Sequence, residues 1–97
     1  MEYQLRRYRI RPGKLQECVA AWRASVYPLR LEHGFAVVGA WTIAERNEFI
    51  WILGYDGPEG FAAADAAYYA SAARTTLTPD PRPFFTQTEQ WFMVSVL

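Results

Sequence analysis

The spacing of apolar positions along the chain switches between a two-residue and a three-to-four-residue period, and each switch marks an element. Residues 3–10 hold no Gly or Pro and predict a strand. Its faces would carry Gln4, Arg6, Tyr8 and Ile10 on one side and Tyr3, Leu5, Arg7 and Arg9 on the other. Pro12-Gly13 punctuates. From Lys14 the apolar positions fall at Leu15, Cys18, Val19, Trp22, Val26, Leu29 and His33, one stripe of a helix of about five turns. Pro28 should kink it or hand over to a looser final turn, and Gly34 suits its left-handed cap. Residues 35–43 form an almost wholly apolar second strand, residues 44–47 a polar turn, and residues 48–55 a third strand that completes a hairpin. Asp56-Gly57-Pro58-Glu59 is expected to open a second helix, with Pro at its first position and acids near its positive end. Phe61, Ala64, Asp65, Tyr68 and Ala72 share one side of it. A connector broken by Pro79, Pro81 and Pro83 leads into a last strand over residues 84–97.

The third strand decides the assembly. Phe49, Trp51, Leu53 and Tyr55 point one way, Ile50 and Ile52 the other, so neither face is suited to water. The order β-α-β-β-α-β is most simply satisfied by a four-stranded antiparallel sheet with both helices on one face. That is the α+β, ferredoxin-like sandwich. The face left bare needs cover, and a two-fold pairing lets one apolar patch cover its own copy. A homodimer closed into a dimeric α/β barrel is therefore the expected state of this one domain, residues 1–97.

Composition narrows the function. Ten Lys+Arg balance ten Asp+Glu, which gives no charge reason to bind nucleic acid or an anionic membrane. No apolar run approaches the ~20 residues of a membrane span. Arg6, Arg7, Arg9 and Arg11 break the stretch where a signal peptide would be apolar, so the expected location is cytoplasmic. The single cysteine, Cys18, excludes an internal disulfide and reads as a small buried hydrophobe. Phe, Trp and Tyr make up 16% of the chain, including four Trp, more than a core of this size needs. Some should line a pocket, a subunit interface or both.

The run Tyr3-Gln4-Leu5-Arg6-Arg7-Tyr8-Arg9-Ile10-Arg11-Pro12-Gly13-Lys14-Leu15, the helix end Glu32-His33-Gly34, Val38-Gly39-Ala40-Trp41-Thr42 and the pair Asn47-Glu48 together resemble the NIPSNAP-like branch of the dimeric α/β-barrel superfamily. The resemblance runs through residue 55 and fades where Asp56-Gly57-Pro58 replaces the family's usual Asp-Ser-type start. It implies a homodimer and, from the wider superfamily, pockets for small, often aromatic, molecules. That superfamily includes cofactor-independent monooxygenases, isomerases, cyclases and haem-degrading enzymes. None of these motifs is a catalytic signature, so a reaction carried over on fold alone is analogy.

Candidate chemistry rests on a few residues. Arg6 and Tyr8 project from the same strand face about 7 Å apart. They could hold a carboxylate or an enolate-like oxygen, or form an intersheet network that fixes dimer register. Asp65 is an acid on an apolar stripe, so it must be paired, protonated or turned to a wet pocket; it is the candidate general acid or base. Trp41, Trp51 and Trp91, one in each remaining strand, would make a flat box for planar ligands or fill the barrel. Tyr68 rather than Tyr69 is expected to face the sheet. His33, the only histidine, reads as a general base or a haem ligand at the pocket mouth or as a helix-end residue favoured by the dipole. No motif implies a metal or cofactor: there is no His cluster, phosphate loop or Ser-His-Asp set. The expected function is binding of a small planar or apolar molecule, with cofactor-independent monooxygenase, isomerase or cyclase activity as its catalytic form. The alternative is a non-catalytic dimeric interaction or sensing module.

Overall fold

The computed structural model describes residues 1–97. Its sheet strands are β1 (Glu2–Ile10), β2 (Ala36–Ile43), β3 (Glu48–Tyr55) and β4 (Phe85–Met93). They run in the order β2-β3-β1-β4, every neighbouring pair antiparallel. Helices α1 (Leu15–Ala21), α2 (Tyr27–Glu32), α3 (Phe61–Ala70) and α4 (Ala72–Thr75) supply the second layer. This is the ferredoxin-like α+β sandwich that the strand-helix order implies. No helix is long and apolar enough to cross a membrane.

Register assigns the two sheet faces. Gln4 sits opposite Leu53, Arg6 opposite Trp51 and Tyr8 opposite Phe49, and all six are buried under the helices. On the other face Leu5 pairs with Ile52 and Arg7 with Ile50, while Trp91 lies beside Leu5 and Trp41 beside Ile50. The core is largely aromatic: Trp22 packs edge-on against Phe49 at 5.1 Å and against Trp51 at 5.2 Å between ring centroids. Arginines on the strands pair with acids across the ladder, Arg7 with Glu89 at 3.0 Å and Arg9 with Glu48 at 3.4 Å. Hydrogen bonds from Arg46, then from Arg9, hold the Glu48 carboxyl below the usual carboxylate range.

Three local expectations are corrected. The first helix does not kink at Pro28. A π-helical segment, Trp22–Val26, joins α1 to α2, and Pro28 lies in the first turn of α2. Proline lacks the N–H that would bond back one α-turn, and a local change of winding absorbs that loss. A π turn also holds one more residue than an α turn. Arg30 consequently turns inward, fully buried, while His33 ends the helix.

The second helix starts at Phe61, not at Pro58. Gly60 precedes it at φ 84°, a left-handed conformation that glycine adopts readily. The acid at its positive end is Glu2 from β1, whose Oε1 accepts from the Phe61 N–H at 2.8 Å, rather than Asp56 or Glu59. The last strand stops at Met93, short of residue 97.

Candidate functional site

Between the helices and β1 lies a cavity of about 190 Å³. Its floor is Arg6, Tyr8 and Trp51 from the two central strands, with Phe85, Thr88 and Gln90 from β4. Its roof is Trp22, Val26 and Arg30, each four residues apart on the first helical layer, and Tyr68, Tyr69 and Arg74 from the second. Pro81 and Arg82 from the connector close one end. Thr88, Gln90 and Arg82 are exposed, so the cavity opens there.

Arg6 is held from three sides. Its Nε donates to Gln4 Oε1 at 2.7 Å, Nη1 to the Tyr69 hydroxyl at 2.8 Å, and Nη2 to both Asp65 oxygens at 3.2 Å. Arg30 Nη1 donates to Asp65 Oδ1 at 2.7 Å, and its guanidinium stacks 3.6 Å from the centre of the Tyr68 ring. One carboxylate thus binds two arginines whose side chains are 2% and 1% exposed. Of the states left open for Asp65, the paired one is present. Asp65 itself does not line the cavity. Arg74 is also buried but makes no direct ion pair, and its Nε has no hydrogen-bond partner; its charge acts on Tyr68 and Asp80.

Tyr8 is buried, and Trp51 Nε1 donates to its hydroxyl oxygen at 3.1 Å. Burial pushes its phenol above the ordinary tyrosine range against the opposing charge of Arg6. The phenol therefore stays protonated near neutral pH. Its oxygen already accepts one bond, which leaves the O–H to donate. Tyr68 is raised for the same reason, with the charges of Arg30 and Arg74 acting against burial.

Among the residues singled out in the sequence, the fold brings Arg6, Tyr8, Trp51 and Tyr68 to this cavity. Trp41 and Trp91 lie on the opposite face of the sheet, 52% and 46% exposed, so the three tryptophans do not form one box. The register explains it: Trp51 is opposite Arg6, whereas Trp41 and Trp91 flank residues of odd parity on β1 and even parity on β3. His33 is not in the lining; its Nδ1 lies 3.0 Å from the Leu29 carbonyl and its ring packs edge-on against Tyr68. No group of three or more His, Cys, Asp or Glu side chains is placed to hold a metal.

Sequence reading missed Arg30, Arg74 and Tyr69. Arg30 had a signal, being four residues beyond Val26 and eight beyond Trp22. Arg74 lies beyond the apolar stripe of the second helix, and the partner role an arginine could play for Asp65 is taken by Arg6 and Arg30.

Solved structures with the same architecture include a NIPSNAP domain protein from Burkholderia xenovorans, with TM-score 0.85, 24% identity, and coverage of 98% of this chain and 94% of that one. A NIPSNAP family protein from Agrobacterium tumefaciens aligns with TM-score 0.84 at 18% identity, covering 96% and 90% of the two chains. An antibiotic biosynthesis monooxygenase aligns over 100% of both chains with TM-score 0.73 and 18% identity. At these identities the likeness speaks to fold alone. Among curated proteins none matches the chain. The NIPSNAP family pattern, by contrast, matches residues 3–95, from the arginine-bearing first strand to just past the last one. With almost its whole length accounted for by that pattern, the chain belongs to the NIPSNAP family.

Proposed function

We propose that the protein works as a homodimer and takes up a small planar molecule in the cavity between its helices and its sheet. The cavity carries this reading. Its volume of about 190 Å³ is walled by Tyr8, Trp22, Trp51 and Phe85, and a few polar groups converge on it, the make-up of a ligand site. An engineered apolar cavity of about 150 Å³ binds benzene, so the space suits a single substituted ring. The homodimer is supported by the opposite face, where Trp41, Trp91 and Val38 stand exposed beside Leu5, Ile50 and Ile52. A contiguous apolar face of this kind is covered in a stable assembly.

The catalytic form of this reading is a cofactor-independent monooxygenase, isomerase or cyclase. The fold shared with a protein named an antibiotic biosynthesis monooxygenase supports it by analogy. In it the Tyr8 hydroxyl donates to a ligand oxygen that gains negative charge, and Arg6 supplies positive charge beside it. Asp65, already accepting from two guanidiniums, holds those cations in place.

Native mass spectrometry of freshly purified protein tests both halves together. The expected spectrum is a dimer, with added mass of a small molecule per subunit. A monomer at micromolar concentration removes the homodimer. An empty dimer whose Trp51 indole resonance also ignores a library of single-ring compounds removes the cavity reading.

A further inference from the structure

The polar atoms around the cavity that lack partners within the protein can all donate a hydrogen bond. Trp22 Nε1, Arg30 Nε and Arg74 Nε are buried donors without acceptors, and the Tyr68 hydroxyl is buried without a partner of either kind. All four residues line the cavity, and no buried carboxylate, carbonyl or amide oxygen of a side chain there is left without a donor. Buried polar groups are normally satisfied, so a surplus of one kind marks what the space is built to receive. It needs acceptor atoms.

Charge points the same way. Arg6, Arg30 and Arg74 are buried at 2%, 0% and 5% exposure, and Asp65 is the one carboxylate that pairs with any of them. Asp80 is engaged by Arg82 at 2.7 Å. Arg74 therefore has no direct ion-pair partner, feels Asp80 only at a distance, and is held over the rings of Tyr69 at 5.1 Å and Tyr68 at 5.7 Å. Aromatic faces soften that burden but do not neutralise it.

We propose that the cavity binds a single-ring carboxylate, with Arg74 as the residue that clamps its carboxylate and Trp51, Tyr8 and Phe85 as the walls for its ring. This rests on the cavity reading above and narrows it from a planar molecule to a planar anion. Arg6 is occupied by Gln4, Tyr69 and Asp65, and Arg30 by Asp65, which leaves Arg74 as the cation with a whole fork free. A guanidinium fork matches a carboxylate in plane and in charge. The volume admits one ring with such a group.

Isothermal titration calorimetry with benzoate, salicylate and phenylacetate, each beside its uncharged carboxamide, tests this on the full chain. The expected result is that at least one acid binds ten times tighter than its amide or better. Arg74→Met should abolish that difference while leaving the thermal midpoint equal or higher, because an unpaired buried charge is removed. Should Arg74→Met fail to fold, Gln90→Glu at the cavity mouth reads the same charge dependence: acid binding should drop by tenfold or more with the amide unchanged. Equal affinity for acid and amide overturns the anion inference and leaves the planar-ligand reading standing. Retained acid preference in Arg74→Met overturns the assignment of Arg74. Failure of every acid and amide to bind overturns the inference together with the reading it rests on.

Discussion

Removing the Asp65 carboxylate exposes how the cavity's cations are tolerated. The Arg6 and Arg30 side chains are 2% and 1% exposed, and Asp65, at 20%, is the acid between them. Taking one partner from a buried ion pair costs about 3–5 kcal/mol, because the other charge stays behind without water. Asp65→Leu leaves two such charges, but water reaches the vacated edge, so the lower end, about 3 kcal/mol, is the expected loss. For a domain of this size each kcal/mol moves the midpoint by about 4–8 °C, so the thermal midpoint should fall by roughly 12–24 °C. The triple variant Arg6→Met, Asp65→Leu, Arg30→Met removes all three charges together and should recover most of the loss, since apolar replacement of a whole buried ionic group is often neutral. Thermal and urea unfolding followed by circular dichroism at neutral pH gives both numbers. A loss below about 1 kcal/mol for Asp65→Leu, or a triple variant no more stable than the single one, would refute the view that this is a desolvated network.

Two further outcomes follow from the sheet and the first helix. Trp41→Arg with Trp91→Arg should split the proposed dimer without disturbing the protomer, since both side chains are about half exposed in the single chain. Interface tryptophans cost about 2 kcal/mol or more on truncation, so the dimer Kd should rise roughly thirtyfold or more in sedimentation velocity. An unchanged dimer would place the interface elsewhere. Burial pushes the Cys18 thiol up to about 11 from 9.0. The folded chain thus holds a proton that the unfolded chain releases, so this contribution is complete below pH 9 and is lost as pH rises towards 11. The urea midpoint should fall across that window less steeply in Cys18→Ala than in the wild type, and parallel curves would refute it.

The order of strands and helices along the chain was legible from the changes of period, and the two-faced β3 and the shared face of Arg6 and Tyr8 because a two-residue period fixes which side chains share a face. The third strand matched from Glu48 to Tyr55. The helices were less legible. A stripe stepped from Val26 through Leu29 to His33 passes over Arg30, although Arg30 lies a four-residue step from Val26 and the π segment turns it inward. The start of α3 was misplaced because its capping acid, Glu2, lies 59 residues away in sequence, where no local signal can announce it. Trp41 and Trp91 were grouped with Trp51 because strand membership was read without the pairing register that puts them back to back. Asp65 stood out as an acid on an apolar stripe, yet its two partners come from β1 and α2, and only the tertiary packing joins them.

The π segment makes the electrostatics of the cavity separable from the sheet. One residue of an α-helix corresponds to a rotation of about 100°, so a chain one residue shorter between Trp22 and Val26 would carry Arg30 away from Asp65 and Tyr68 without touching a strand. The sheet, its register and Arg6 would persist, while the balance of cations around the cavity would change. The charge of the cavity can thus be set by the winding of one helix, leaving the sheet and its exposed apolar face untouched.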